Sequence, residues 1–85
     1  MHIKYMGRHM RVDLFLKETR IIKRRVIAKE YCERGLVLLN EKVCKPGAEV
    51  KEGDKLTVKF GERVFHIVAH VEPGKKKEIV SYESL

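Results

Sequence analysis

Apolar residues recur at helical spacing near the start of the chain and at alternate positions later. Val12, Phe15, Leu16 and Thr19 fall at i, i+3, i+4 and i+7, the spacing of one buried helix face. A first helix is expected over about residues 11–20. Asp13 then lies in its first turn, where a carboxylate suits the positive end of the dipole, and Arg20 near its end, where a cation is favoured. A second helix is expected from about Lys23 to Arg34, stopping at Gly35, a suitable C′ residue. Ala28 and Cys32 are four apart with Tyr31 beside them, which marks the packed face. Arg25 and Lys29 share another side of the same helix, and Arg24 points about 100° away from Arg25.

From Leu36 the period changes to strands and turns. LVLLN (Leu36–Asn40) is an apolar run of strand length, Asn40-Glu41-Lys42 a tight turn, and Val43-Cys44 a short returning strand. Pro46-Gly47 breaks the chain, and Gly53-Asp54, after Val50, is a turn that launches KLTVKF (Lys55–Phe60). In that strand Leu56, Val58 and Phe60 alternate with Lys55, Thr57 and Lys59. After the Gly61-Glu62 turn, Arg63–Glu72 makes another strand. Val64, His66, Val68 and His70 lie on one side of it and Phe65, Ile67, Ala69 and Val71 on the other. Pro73-Gly74 and Lys75-Lys76-Lys77 form an exposed loop, and Ile79, Val80 and Tyr82 a last short strand. Residues 1–9 show no clear periodicity and are expected to be an extension of little core value, with an edge strand around Ile3 and Tyr5 as an alternative.

Composition narrows this picture. At 85 residues, 44% hydrophobic and 36% charged, the chain suits one small folded domain with a modest core. No run approaches the roughly 18 apolar residues of a membrane span, and no apolar stretch resembles a signal peptide, so cytoplasmic residence is expected. Cys32 and Cys44 stand twelve apart without a CxxC or Cys/His cluster. They are expected as reduced, partly buried thiols, a disulfide or catalytic thiol being the lesser alternatives. The histidines lack ligand spacing, so no metal site and no cofactor is expected; His66 and His70 suit structural roles on one strand face.

Charge is where function enters. The net charge of +7 and the pI near 9.6 call for a densely negative partner, nucleic acid first, an anionic membrane or acidic protein second. Lys23, Arg24 and Arg25 stand in a row at the expected start of the second helix, the wrong end for dipole compensation. A local rule broken in this way is often a sign of function. There is no GxSxG, P-loop, HExxH or dinucleotide-binding glycine pattern, so no enzyme is expected. Arginine suits phosphate because its planar fork donates two bonds at once. A rigid helix pair holding Arg11, Arg20, Lys23, Arg24, Arg25 and Lys29 suits the backbone of structured RNA. There is no Trp, and all three Phe fall at core-like positions, which disfavours a surface for single strands.

The residues also carry a resemblance. Arg11-Val12-Asp13 with Phe15-Leu16, Arg24-Arg25-x-x-Ala28, Gly35-x-Val37-x-x-Asn40 and Val50-x-x-Gly53-Asp54 together resemble the S4 RNA-binding domain, over about residues 10–61. That module also occurs in pseudouridine synthases and tyrosyl-tRNA synthetases. The resemblance implies an α+β fold, two N-terminal helices packed on a small, mainly antiparallel sheet of about four to five short strands. Residues 62–85 would complete the same domain. Among S4 proteins the chain is most similar to free-standing ribosome-associated quality-control factors. This implies a non-enzymatic role on the large ribosomal subunit obstructed by a peptidyl-tRNA. The partners implied are ribosomal RNA, peptidyl-tRNA and the protein RqcH, which extends the stalled chain with alanine; no membrane partner is implied, and a monomer is expected. The alternatives are another free-standing S4 protein, of heat-shock or ribosome-assembly type, or a basic adaptor for an acidic protein or membrane. By position, Arg11 and Arg25 become the leading RNA contacts, and Arg20, Lys23, Arg24 and Lys29 supporting phosphate contacts. Gly35, Asn40, Gly53 and Asp54 become fold residues, and Asp13 a cap or an arginine's partner. One departure stands out: Glu41 follows Asn40 where many members carry glycine.

Overall fold

The computed structural model describes residues 9–75 and 78–85. In chain order the elements are β1 (His9–Arg11), α1 (Val12–Glu18), α2 (Arg25–Glu33), β2 (Val37–Leu39), β3 (Lys42–Val43), β4 (Glu49–Lys51), β5 (Lys55–Phe60), β6 (Arg63–Glu72) and β7 (Ile79–Ser84). The fold is α+β. Five strands form an antiparallel sheet in the order β3-β2-β5-β6-β7, and β1 pairs antiparallel with β4 in a separate two-stranded ribbon. The edge strand considered around Ile3 and Tyr5, and Lys76-Lys77 of the basic loop, lie outside the described residues.

The core follows the two periods. Val12, Phe15 and Leu16 from α1 and Ala28 and Cys32 from α2 are buried against Val37, Leu56, Val58, Ile67, Ala69 and Val71 of the sheet. Each large apolar side chain buried there contributes roughly 1.5–3 kcal/mol. Met10 and Val50, register partners in the ribbon, join the same cluster.

Both helices are shorter than the periodicity suggests, for identifiable reasons. α1 stops at Glu18; the Thr19 hydroxyl donates to Phe15 O at 2.8 Å. Arg20 then takes the left-handed conformation at φ 65°, its N–H donates to Lys17 O, and Ile22 N–H returns to Leu16 O. The chain reverses there, with Ile22 buried as the anchor. α2 begins at Arg25 because Arg24 is extended, at φ −120° and ψ 134°. Lys23 and Arg24 therefore precede the helix, and the 100° separation expected between Arg24 and Arg25 does not apply. Only Arg25 stands inside the first turn, which contains no carboxylate.

The N-terminus of α1 is capped from a distance. Val12 N–H donates to Ala48 O at 2.8 Å and Asp13 N–H to Pro46 O at 3.2 Å, so the loop before β4 satisfies donors that a side chain would otherwise take. Because β1 runs directly into α1, its pairing with β4 brings that loop against the helix start.

In the sheet, β5 and β6 match their expected bounds. β2 is shorter than the Leu36–Asn40 run, and its return strand is Lys42–Val43 rather than Val43-Cys44. The turn between them places both Asn40 (φ 51°) and Glu41 (φ 71°) in the left-handed region, as a type I′ hairpin turn demands. Asn40 Oδ1 accepts from Lys55 N–H, and its Nδ2 donates to Asp54, whose other oxygen accepts from Lys51 N–H at 2.8 Å. Gly53, at φ 88°, sends its N–H to Ala69 O. These residues thus lock two turns together.

One expected core position is wrong. Phe15 is fully buried and Phe60 half-buried, but Phe65 is 45% exposed. It lies on the inward-pointing side of β6, as the alternation requires, but at the end of the strand where exposure rises.

Candidate nucleic-acid interface

The centre of the basic surface is Asp13, whose side chain is only 2% exposed. Arg11 Nε donates to Asp13 Oδ1 at 3.2 Å and Arg11 Nη2 to Oδ2 at 3.0 Å, the parallel fork of a bidentate pair. Arg25 Nε lies 3.7 Å from the same Oδ2. Asp13 Oδ1 also accepts from Leu14 N–H at 2.7 Å, which ties the carboxylate to the start of α1. One buried carboxylate thus holds arginines from both sides of the helix pair. Both stay about half exposed, at 51% and 47%, so their remaining donors reach solvent. Asp13 was expected as a cap or as the partner of one arginine; the structure makes it the anchor of two.

The Arg11 guanidinium also lies over the Pro46-Gly47 turn, where a Cβ built on Gly47 would sit 3.9 Å from its Cζ and Nη2. No local signal marks this contact, because the turn is far along the chain.

The other cations divide. Arg20 and Lys23 line one shallow groove together with Lys17 and Glu18. Lys17, in the last turn of α1, joins this groove because the chain reverses at Arg20. Lys17 Nζ lies 3.4 Å from Glu18, which tempers the charge of the groove. Arg24 is exposed at the N-cap of α2, and Lys29 is exposed one turn beyond Arg25. The surface is thus an oriented Arg11–Asp13–Arg25 cluster and a separate Lys17–Arg20–Lys23 groove, rather than one even stripe.

The model of the S4 domain matches residues 10–56 of this sequence. The chain belongs to the S4 domain family. Its curated S4 relatives are alike in name. It is 45% identical over 73 residues to the RQC P-site tRNA stabilizing factor of Halalkalibacterium halodurans, covering 85% of this chain and 83% of that protein. It is 43% identical over 70 residues to the protein of the same name from Bacillus subtilis, with 81% of each covered. Among solved structures, the trimeric structure of Vibrio cholerae Heat Shock Protein 15 superposes with a TM-score of 0.74 at 24% identity, over 91% of this chain and 82% of that one. This last likeness supports the S4 fold.

The titratable groups elsewhere serve the fold. His70 bridges Glu52 (Nδ1 to Oε2, 2.6 Å) and Glu83 (Nε2 to Oε2, 3.1 Å), while Glu52 also accepts from Val71 N–H. These bonds tie β6 to β7 and to the turn after β4, and hold the imidazole pKa above its usual value, chiefly through Glu52. His66 Nδ1 lies 3.2 Å from the Thr57 hydroxyl across the β5–β6 pair. Cys32 and Cys44 are free thiols, and Cys44 Sγ donates to Val37 O at 3.6 Å; the influence of the neighbouring Cys44 and burial raise the Cys32 pKa, while Cys32 in turn lowers that of Cys44. Among the described residues no His, Cys, Asp and Glu cluster could hold a metal, and no helix is long and apolar enough to cross a membrane.

Proposed function

We propose that this protein is a non-enzymatic RNA-binding factor of ribosome-associated quality control. In this reading it acts in the bacterial cytoplasm, as a monomer, on the large ribosomal subunit that carries a stalled nascent chain. Arg11 and Arg25 grip RNA phosphates as an oriented pair, and Arg20, Lys23, Arg24 and Lys29 extend the electrostatic footprint. The observation that carries the reading is the buried Asp13 carboxylate between two half-exposed arginines, since it fixes guanidinium direction where charge alone would not. Its relatives' name, RQC P-site tRNA stabilizing factor, supports ribosomal RNA and P-site tRNA as the partners. In such a role the protein steadies the peptidyl-tRNA while RqcH directs alanine addition.

The test is co-sedimentation with isolated large subunits, with and without peptidyl-tRNA, across a salt series. Wild type should pellet more with obstructed subunits, and its affinity should fall steeply with salt as counterions are released. Arg25→Ala should weaken binding and reduce the slope of log affinity against log salt by about one, with the thermal transition retained. Equal affinity for anionic vesicles and for ribosomal RNA, or a flat salt dependence, would sink the proposal.

A further inference from the structure

The helix pair does not cover the whole inner face of the sheet. Beside the reversal at Arg20 and Ile21, the uncovered end of β6 and β7 leaves an open cavity of about 380 Å³. That lies within the range of about 300–1,000 Å³ typical of small-molecule sites. Its floor is apolar, with Val58 and Ile67 beneath. Its sides are aromatic: Phe65 is 45% and Tyr82 43% exposed. Phe65 is braced edge-on by Phe60, centroids 5.3 Å apart, and Phe60 is braced in turn by Tyr31 at 5.4 Å. Arg20 and Ser84 are the polar residues that line the same cavity. Arg20 also lines the neighbouring groove with Lys17 and Lys23, so an aromatic cavity and a cationic groove share one wall.

We propose that this cavity takes one unpaired RNA base, stacked on Phe65 and Tyr82, while Arg20 and Lys23 hold the adjoining phosphate. The inference deepens the RNA-binding reading and rests on it. Charge complementarity selects the occupant. A second copy of the chain would bring its own +7 against a wall that is already cationic, whereas a nucleotide carries a flat apolar ring and an anion side by side. Base–aromatic stacking tolerates any base, so the cavity contributes affinity for an extruded nucleotide rather than sequence choice. Phosphate contacts by Arg11 and Arg25 position the RNA, and the cavity then distinguishes RNA with a flipped-out base from a continuous duplex.

Three hairpin RNAs test this: one fully paired, one with a single bulged 2-aminopurine, and one with an abasic bulge at that position. The wild-type protein should bind the bulged base about 5- to 100-fold more tightly than the abasic form, and should quench the 2-aminopurine. Phe65→Leu and Tyr82→Leu keep apolar volume but remove the ring. Each should erase that preference and leave affinity for paired RNA unchanged, with a thermal melt confirming the fold. Arg25→Ala should weaken all three RNAs alike. Salt-dependent binding of all three RNAs with equal affinity would overturn the base-binding cavity and leave the RNA reading standing. No binding to any of them would overturn both. A wild-type dimer in sedimentation that Phe65→Leu dissociates would assign the face to self-association and overturn the proposal.

Discussion

Asp13→Asn is the most informative single substitution. It keeps the side-chain volume and the acceptor for Leu14 N–H, and it removes the charge that both arginines face. Breaking a fully buried ion pair costs roughly 3–5 kcal/mol because a bare charge stays behind in the interior. Here the stranded charges are two half-exposed guanidiniums that can turn to water, so the larger figure does not apply. What is lost is the charge assistance of two hydrogen bonds at 3.0 and 3.2 Å, one Coulombic contact at 3.7 Å, and some satisfaction of a buried group. One hydrogen bond to a charged group contributes roughly 1.5–3 kcal/mol, and because solvent screens both half-exposed guanidiniums the loss from the whole cluster is about that of a single such bond. For a chain of this size that is a fall in Tm of roughly 6–24 °C, read by circular dichroism or calorimetry. The binding assay makes the sharper distinction. The substitution raises the net charge by one from +7, so if the arginines act only as charges, RNA affinity must rise. If Asp13 aims them, affinity for the large subunit must fall at every salt concentration. A Tm within about 2 °C of wild type together with tighter RNA binding would refute both the energetic and the orientational argument.

Other consequences follow from the geometry. Glu41→Gly should stabilise the protein by about 1 kcal/mol in a urea titration, because Glu41 sits at φ 71° in a turn that favours glycine there; an unchanged or lower midpoint would count against the turn assignment. The native pKa of His70 is raised by Glu52 and Glu83, so its stabilising contribution is full below its ordinary value of 6.5 and is lost as pH rises through the native value. The Tm gap between wild type and His70→Gln should therefore be widest in mild acid and close with rising pH; a gap that widens with pH refutes the bridge. Native-state alkylation followed by mass spectrometry should label Cys44 well before Cys32, whose thiol is buried and raised in pKa, and the two should react alike after denaturation.

What the sequence determined by itself was local. The alternation over Lys55–Phe60 and the turn-bounded apolar run Arg63–Glu72 set both strands and sorted Ile67, Ala69 and Val71 onto one side, which the fold then buries. The buried triplet of α1 and the excess of cations around Arg24 and Arg25 were legible for the same reason: both are patterns over a few neighbouring residues. Helix ends were not, since Arg20 and Arg24 leave helical geometry where the chain must reverse to pack α2 on α1. Nor was the β1–β4 ribbon, which joins His9–Arg11 to Glu49–Lys51 and caps α1 through the Pro46–Ala48 carbonyls. Only the tertiary structure decided how the cations are used. Asp13 becomes a shared anchor because packing brings Arg25 to a carboxylate already buried beside Arg11, a meeting of two elements that no periodicity encodes. The same holds for Phe65. Alternation assigns it to the inner face of β6, but whether that face is covered depends on the reach of two short helices, and at Phe65 they fall short.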